Sequence, residues 1–451
     1  MYTRREPRCA DRRQVDERSS VQQDLILARW GACRRSVMAL CLVLLAPFRA
    51  QAAATTQQIF EEYGSLVVQI RVVEAESGAK SSIGTGFVAT AKGHIVTNFH
   101  VVSQWVEHPD RYRGELVLAE AESHPVEILA IDVVNDLAVL STSAEFRSHL
   151  SLAADPPQQG VRLYSLGNPF DLGQSIVEGT YNGLLEHSSY ERIHFTGSLN
   201  PGMSGGPTLT ADGEVAGVNV ATSGNQVSFL VPAQRLSALL DHVGAREFRR
   251  DDDLNEAVRR QLLERQQTYL DTLLSGTPET VQLGHYRVPS KLAPFFECWG
   301  DRQEDDDDLY EILVHQCSTD DSVFISRDQH SSIVALRHRR LASTRLGAER
   351  FYELYSASFE GNHSQKWGRA DDFSAFRCRT GFVENPTLTF KTTFCVRRYR
   401  RFEGLYDAVF KAATLGASGS GLETALVLSA VSFESAERLA RRYLEEIAWV
   451  D

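Results

Sequence analysis

Residues 197–207 read GSLNPGMSGGP and form a glycine-rich turn between two strand-like runs of the sequence. A serine that acts as a nucleophile needs an exposed hydroxyl on a tight turn whose backbone N–H groups converge on the oxygen that becomes negative. Gly202 and Gly205 permit such a backbone because they have no Cβ atom. Structural hairpins also contain Gly-x-Ser-Gly, so the assignment of Ser204 as a nucleophile depends on partners elsewhere in the chain.

A candidate general base lies in residues 84–102, which read GTGFVATAKGHIVTNFHVV. A strand, a turn at Lys92-Gly93 and a second strand bring His100 to the end of an element. An imidazole has an unperturbed pKa of about 6.5, so near neutral pH it can take the serine proton and return it to a leaving amine. A single histidine is more often structural, but His100 would supply the base that the serine turn requires.

A candidate acidic partner follows in residues 130–141, which read AIDVVNDLAVLS. Asp136 directly precedes an apolar strand at 137–140, which buries that end of the segment. A carboxylate in this position can fix the tautomer of His100 and stabilise its imidazolium form. Asp132 is the rival candidate, but its position favours a surface turn, and Asp136 is therefore the prediction.

The fold prediction rests on the region from Leu66 to about Leu240, which reads as many short strands separated by Gly, Asn, Asp and Pro. Strands at this spacing indicate an all-β sandwich or barrel. The candidates occur in the order His100, Asp136, Ser204, which is the order of the chymotrypsin type and not that of subtilisins or α/β-hydrolases. The sequence thus predicts an all-β double barrel of the chymotrypsin type.

Five segments of this region together resemble the trypsin-like serine proteases of the HtrA (Deg) group. They are IVTNFHVV at 95–102, NDLAVLS at 135–141, SLGNPFDLGQSIVEGTYNGLLE at 165–186, NPGMSGGPTLTADGEVAGVNVAT at 200–222 and VSFLVP at 227–232. The resemblance covers roughly residues 64–240. It implies a catalytic triad of His100, Asp136 and Ser204, with the N–H groups of Gly202 and Ser204 as the oxyanion hole.

The same resemblance implies a substrate site. It places Leu199 and the strand that ends at Thr222 along the primary pocket, which is then apolar and suited to small or medium aliphatic residues. Ser198 stands six residues before Ser204, where a trypsin-like pocket would hold an acidic residue, so cleavage after Arg or Lys is not expected. The stretch 224–229 resembles an edge strand that pairs with an extended, unfolded substrate.

Two features depart from the HtrA pattern. Met203 stands before the nucleophile, where the family usually has Asn, but this change leaves the backbone donors in place. We find no carboxylate-binding Gly-hydrophobic-Gly loop before a strand after residue 245, and so recognise no PDZ domain. Trimer formation and PDZ-dependent gating are therefore not carried over, although oligomerisation stays possible.

The rest of the chain predicts a helical connector and a further domain. Residues 246–276 have apolar residues at helical spacing after an acidic start, which the helix dipole favours. Beyond residue 277 strand patterns return, with helices expected near 405–413 and 434–448. We predict a protease domain at 54–245, a linker at 246–276 and an α+β domain of unknown role at 277–451.

Four cysteines fall in the C-terminal third, and an even number fits a disulfide framework. Sequential pairing is the prediction because each pair flanks a short strand-like stretch, although three connectivities are possible. The predicted pairs are Cys298 with Cys317 and Cys378 with Cys395. Cys-x-x-Cys spacing does not occur in the sequence, which argues against zinc, and no metal or cofactor is predicted.

Residues 1–53 have the order of a signal peptide, with a basic lead up to Arg35, an apolar core at 37–48 and small residues at 50–53. The apolar core is shorter than the roughly 20 residues that span a membrane. We therefore predict cleavage, a periplasmic or secreted location and no stable membrane anchor. Cleavage would remove Cys9, Cys33 and Cys41.

The formal net charge of −12 argues against nucleic acid partners, since these need a clustered positive surface to displace counterions. Polypeptides are the expected partners. The leading hypothesis is a serine endopeptidase that cleaves exported, unfolded or flexible proteins through a Ser204 acyl-enzyme. The alternative is a protease-like peptide-binding protein with weak or no catalysis, whose cysteine-bearing domain supplies the recognition.

Overall fold

The computed structural model describes residues 55–451, apart from 119–121, 223, 225, 246–252, 304–308, 320–322, 327–328, 332, 362–371 and 417–418. The predicted signal peptide, with Cys9, Cys33 and Cys41, lies outside the described residues. No helix in the described part of the chain combines the length and the apolar character that a membrane span requires.

A first closed barrel is formed by six strands. Their bounds are β1 Val67–Glu74, β2 Lys80–Val88, β3 Ile95–Thr97, β4 Tyr112–Val117, β5 Ser123–Asp132 and β6 Leu137–Thr142. Around the barrel the order is β1-β2-β3-β6-β5-β4, and neighbouring strands are antiparallel. Ile70 and Val72 alternate with more polar residues and are fully buried inside, as expected for strands with one face on a core. Helix α1 (Thr56–Tyr63) precedes the barrel, and helix α2 (Phe99–Glu107) connects β3 to β4.

A second closed barrel follows directly in the chain. Its strands are β7 Arg162–Gly167, β8 Ser175–Leu184, β9 Ile193–Phe195, β10 Pro207–Leu209, β11 Val215–Thr222 and β12 Ser228–Pro232. The order around this barrel is β10-β11-β12-β9-β8-β7, again with antiparallel neighbours. The two closed barrels confirm the predicted double barrel of the chymotrypsin type.

Two helices lead out of the second barrel. Helix α3 (Ala233–Ala245) follows β12, and helix α4 (Leu254–Ser275) occupies the region expected to be a connector. The side chain of Asp253 caps α4 by accepting hydrogen bonds from two backbone N–H groups of its first turn. Val258 at one end of α4 is buried in the hydrophobic core of the barrels, while Leu270 near the other end is buried in the next core.

The C-terminal region is built mainly from antiparallel strands. They are β13 Thr280–Leu283, β14 Tyr286–Pro289, β15 Phe296–Gln303, β16 Tyr310–Thr319, β17 Val323–Ser326, β18 Gln329–Ser331, β19 Val334–Ser343, β20 Arg377–Glu384, β21 Thr389–Arg398, β22 Tyr406–Thr414, β23 Ser420–Val431 and β24 Ala448–Trp449. A seven-stranded sheet has the order β15-β16-β19-β23-β22-β21-β20, a three-stranded sheet has the order β13-β14-β24, and β17 and β18 form a hairpin. Helices α5 (Ala348–Gly361) and α6 (Phe433–Glu445) complete the region.

The helix predicted near 405–413 is wrong, because this segment is strand β22. It pairs with β21 on one side and β23 on the other. Ala408, Phe410 and Ala412 point to one buried face, with period two. The alanines of this segment suit a helix locally, but the hydrogen bonds and burial gained between two neighbouring strands decide its conformation.

The seven-stranded sheet contains both disulfide bonds. Cys298 lies directly opposite Cys317 on neighbouring strands, and Cys378 lies directly opposite Cys395. Each bond therefore links two strands that already pair, β15 with β16 and β20 with β21.

Candidate active site

The turn that carries Ser204 depends on two glycines with positive φ. Gly202 has φ +98° and Gly205 has φ +85°, values that residues with a Cβ rarely adopt. A Cβ at Gly202 would lie 2.4 Å from the carbonyl oxygen of Asn168, and a Cβ at Gly205 would lie 2.3 Å from that of Thr85. The backbone of the turn therefore requires the glycines that mark it in the sequence.

Backbone hydrogen bonds stabilise this turn, but two of its N–H groups do not take part in them. The N–H of Gly205 donates to the carbonyl oxygen of Asn219 at 2.9 Å. The N–H groups of Gly202 and Ser204 donate to no backbone oxygen of the described residues. Both residues line one cavity, so these two N–H groups are free to bind an oxygen atom there.

His100 lies in the first turn of α2, and its side chain pairs with Asp136. Its Nδ1 is 2.7 Å from Oδ2 of Asp136, and its backbone N–H donates to Oδ1 at 2.8 Å. Because the carboxylate accepts, Nδ1 carries the proton and Nε2 keeps a lone pair. Asp136 is only 1% exposed, and the side-chain amide of Asn98 donates to its carbonyl oxygen at 2.8 Å. The pair presents the imidazole in the tautomer that a general base needs.

The rival residue Asp132 makes different contacts. Its two carboxylate oxygens accept hydrogen bonds from the backbone N–H of Asn135 at 2.9 Å and from the side-chain amide of Asn135 at 2.7 Å. Asp132 therefore stabilises the turn between β5 and β6, and Asp136 is the carboxylate that contacts His100.

A cavity of about 260 Å³ contains residues of both barrels. His100 lines it from the first barrel, and Ser204 lines it from the second. The hydroxyl of Ser204 donates to the carbonyl oxygen of Val220 at 3.0 Å in this structure, rather than to His100. The three sequence-predicted residues are thus brought together, with the serine hydroxyl turned towards β11.

Thr85 is a residue of the site that the sequence reasoning missed. Its hydroxyl donates to the carbonyl oxygen of Gly202 at 2.7 Å and accepts from the N–H of Asn168 at 2.9 Å. Its backbone N–H donates to the carbonyl oxygen of Ser204 at 2.8 Å. Thr85 is fully buried, so this first-barrel side chain fixes the serine turn of the second barrel. Its place between Gly84 and Gly86 was the only sequence signal.

Asn219 is a second missed residue, and its buried side chain is fully hydrogen-bonded. Its Oδ1 accepts from the hydroxyls of Ser165 and Thr208 at 2.8 and 2.6 Å. Its Nδ2 donates to the carbonyl oxygens of Leu166 and Met203 at 3.2 and 3.1 Å. These contacts connect three strands to the residue just before Ser204.

The predicted substrate residues have different positions. Leu199 and Val220 line the cavity, and Leu199 is nearly buried in an apolar cluster of the second barrel. Thr222 ends β11, where its backbone pairs with Ser228. The predicted edge strand at 224–229 is wrong for residues 228–229, because they belong to β12, which pairs with β11 and also with β9. A closed barrel leaves no free edge at this strand.

The loop at 168–174 is tied to both barrels. The N–H of Phe170 donates to the carbonyl oxygen of Pro201, beside the serine turn, at 2.9 Å. The carboxylate of Asp171 accepts from Gln69 at 2.8 Å and also contacts Lys80 and Arg71. The hydrogen bond from Lys80, followed by the one from Gln69, lowers the pKa of Asp171 to about 2. Asp171 therefore stays ionised near neutral pH.

Among the residues that the structure describes, one group has metal-ligand types in close proximity: Cys298, His315 and Cys317. Both cysteines are joined in a disulfide, so neither offers a thiolate to a metal ion. His315 instead shares a hydrogen bond with the hydroxyl of Ser290 at 2.9 Å.

A family model described as "Trypsin-like peptidase domain" matches residues 84–218. The mitochondrial serine protease HTRA2 of Bos taurus is 30% identical over 233 residues, which are 48% of this chain and 49% of the relative. The "Probable periplasmic serine endoprotease DegP-like" of Chlamydia pneumoniae is 31% identical over 171 residues, 36% of this chain and 34% of the relative. A serine endoprotease structure from Yersinia pestis is 21% identical with a TM-score of 0.37, and the match covers 42% of this chain and 66% of that chain. The chain thus spans about half or less of the length of these two curated relatives.

Proposed function

We propose, from the premise that residues 84–218 form a trypsin-like peptidase domain of the HtrA group, that this protein is a serine endopeptidase. Ser204 is the nucleophile, His100 the general base and Asp136 its orienting carboxylate. One observation carries the proposal: Asp136 holds Nδ1 of His100 at 2.7 Å, while His100 and Ser204 line the same cavity.

The reaction begins with a rotation of the Ser204 side chain from Val220 towards Nε2 of His100. The Ser204 oxygen then bonds to the carbonyl carbon of the scissile peptide as its proton moves to Nε2, and Asp136 stabilises the resulting imidazolium. The carbonyl oxygen becomes negative and accepts hydrogen bonds from the N–H groups of Gly202 and Ser204.

The tetrahedral species collapses when the carbon–nitrogen bond breaks and Nε2 returns its proton to the leaving amine. This leaves an acyl ester on Ser204. A water molecule then attacks the ester with His100 again as base, which releases the carboxylic acid and restores the hydroxyl. Besides this water, the steps use side chains and backbone groups of this chain.

The proposed substrates are unfolded or flexible exported polypeptides. Leu199 and Val220 give the cavity an apolar wall, which supports small or medium aliphatic residues before the cleaved bond. The proposed location is periplasmic or secreted, supported by the signal-peptide pattern of residues 1–53 and by the DegP-like relative whose name includes periplasmic. The proposed boundaries are 54–245 for the protease domain, 246–276 for the linker and 277–451 for the C-terminal domain.

The test is covalent labelling of the mature protein with a fluorophosphonate probe, together with digestion of unfolded casein. We expect wild type to be labelled and Ser204→Ala to be unlabelled. Ser148→Ala, which changes an exposed serine between β6 and β7, is the matched control and should be labelled like wild type.

A second pair of variants tests the acidic residue. Asp136→Asn should slow labelling by about ten-thousandfold, because an asparagine favours the wrong imidazole tautomer. Asp132→Asn should be labelled at nearly the wild-type rate, because Asp132 bonds only within its own turn. Equal behaviour of wild type and Ser204→Ala would instead support the peptide-binding alternative.

A further inference from the structure

The hairpin β17–β18 of the C-terminal region packs against the catalytic barrels. Val323 and Ile325 of β17 are at most 1% exposed, and both belong to a hydrophobic core that also includes residues of both barrels and of α2. Alternation along a strand places Phe324, between them, on the opposite face. Two buried anchors therefore hold Phe324 in a fixed position beside α2.

Phe324 is in ring contact with His100. The centroids of the two rings are 4.8 Å apart, with an angle of 33° between the ring planes. On β18, the ring of His330 lies 4.7 Å from that of Phe324. Such distances are those of favourable aromatic pairs. The phenyl ring is thus held between a catalytic-site imidazole and a second imidazole of its own hairpin.

Other residues beyond the barrels contact the segments that carry His100 and Asp136. Arg401 donates to the carbonyl oxygen of Glu107 and to Nε2 of His108, at the C-terminal end of the helix that begins beside His100. Gln261 of α4 donates to the carbonyl oxygen of Ile131 at 2.9 Å and accepts from the N–H of Val133 at 2.8 Å. The two hydrogen bonds of Gln261 lie at the end of β5, next to the turn that carries Asp136.

The two contacts of His100 restrict different motions. The hydrogen bond from Nδ1 to Asp136 fixes that edge of the imidazole, but it leaves the ring free to tilt about that edge. A phenyl ring against the imidazole restricts the tilt, and so keeps Nε2 directed into the cavity. Small displacements of a catalytic group cost large factors in rate.

We propose that Phe324 is a positioning residue for His100, and that the C-terminal region thereby completes the active site of the protease. The inference rests on the proposed function. It assigns to the hairpin β17–β18 a role in positioning the general base, because the ring that restrains His100 comes from outside both barrels.

The first test measures the ring contact without any need for activity. In the Ser204→Ala protein, NMR should detect imidazole C–H signals of His100 that are displaced by the ring current of Phe324. Adding Phe324→Leu should move these signals towards values of a free histidine, whereas adding Phe324→Tyr should leave them displaced. Identical His100 signals in all three proteins would overturn the proposal.

The second test measures chemistry with the full-length protein. Phe324→Ala should lower kcat on a peptide substrate, and the rate of fluorophosphonate labelling, by about ten- to a hundredfold, with KM changed less than about twofold. Phe324→Tyr should recover most of the rate. Phe382→Ala removes a 71% exposed phenylalanine from β20 and is the control that should keep the wild-type rate.

The outcomes separate the two proposals. If wild type and Ser204→Ala are equally unreactive, the proposed protease function fails, and the NMR comparison still decides whether Phe324 restrains His100. If wild type is active and folded Phe324→Ala matches its kcat, the positioning role is refuted. Phe324→Leu, which keeps most of the apolar volume, replaces Phe324→Ala if the latter does not fold.

Discussion

The side-chain amide of Asn219 donates to the carbonyl oxygen of Met203 at 3.1 Å, and so restrains the residue that immediately precedes Ser204. The Met203 side chain itself is 1% exposed and packs in the apolar cluster that also includes Leu199. Met203 stands where the HtrA pattern usually has Asn, and the amide that contacts its carbonyl oxygen comes from β11. The methionine is therefore compatible with a fixed serine turn.

Met203→Asn should destabilise the protein, although it restores the residue that is usual in the HtrA pattern. The new amide would be buried among apolar side chains, where an unpaired polar group costs about 1–3 kcal/mol. Urea unfolding should report this loss in the free energy of unfolding. Met203→Leu, which keeps volume and apolarity, should cost less than about 1.5 kcal/mol. An equal or higher stability for the asparagine variant would contradict this account.

Gly202→Ala should abolish most of the labelling by a fluorophosphonate. The alanine Cβ would lie 2.4 Å from the carbonyl oxygen of Asn168, so the turn must shift and the Gly202 N–H leaves its place. Loss of one oxyanion donor lowers rates by about a hundred- to a thousandfold.

Gly160→Ala is the matched control for Gly202→Ala. Gly160 also has positive φ, +92°, but a Cβ there meets no atom within 4 Å. It should cause comparable backbone strain without affecting labelling. If both variants are labelled at the same rate, the close approach to Asn168 is not what makes Gly202 necessary.

Thr85→Val should slow catalysis while the barrels stay folded. Valine has nearly the shape of threonine, but it leaves the carbonyl oxygen of Gly202 and the N–H of Asn168 without their hydroxyl partner. We expect a loss of about 1–3 kcal/mol in unfolding free energy and a lower labelling rate. Thr280→Val, at an exposed position on β13, should alter neither quantity. A wild-type labelling rate for Thr85→Val would count against the proposed role of the Thr85 hydroxyl in holding the serine turn.

The parts of the site that could be predicted are those that depend on residues close together in the sequence. The serine turn depends on its own glycines, and Asp136 lies directly before a buried strand, so both features are visible within about ten residues of sequence. An all-β sandwich or barrel follows in the same way from repeated short strands with turn residues between them, and the order His100, Asp136, Ser204 narrows this choice to the chymotrypsin-type double barrel. These parts of the molecule require no knowledge of distant contacts.

The features that the sequence could not reveal depend on contacts between distant parts of the chain. Phe324 contacts His100 only after the C-terminal hairpin has folded onto α2. The helix prediction for β22 is wrong because its alanines favour a helix locally, whereas its pairing with two neighbouring strands decides its conformation. The stretch predicted as an edge strand ends in β12, and closure of the barrel pairs β12 with a strand on each side.

Stability should fall between about pH 6.5 and pH 3 because of His338, which is buried under α6. Burial lowers the pKa of His338 to about 3. Its Nε2 donates to the carbonyl oxygen of Pro289 at 2.8 Å, and its Nδ1 accepts from the hydroxyl of Thr424 at 2.9 Å. Both contacts suit the neutral imidazole, since a protonated Nδ1 could not accept.

The loss of stability at low pH follows from the different protonation of His338 in the folded protein and in the unfolded chain. In the unfolded chain His338 takes up a proton below its ordinary pKa of about 6.5, whereas in the folded protein it stays neutral until about pH 3. Its contribution to stability is therefore complete above pH 6.5 and is lost as the pH falls. At pH 5 the loss should be about 2 kcal/mol.

His338→Gln isolates this contribution, because glutamine keeps a donor for Pro289 and does not titrate. Urea unfolding of both proteins at pH 8 and pH 5 gives the difference in unfolding free energy between wild type and variant. That difference should shrink by about 2 kcal/mol on going to pH 5, while the effects of other histidines, such as His315 whose pKa is also lowered by burial, cancel between the two proteins. A difference that does not change with pH would mean that His338 does not stay neutral in the folded protein while it protonates in the unfolded chain.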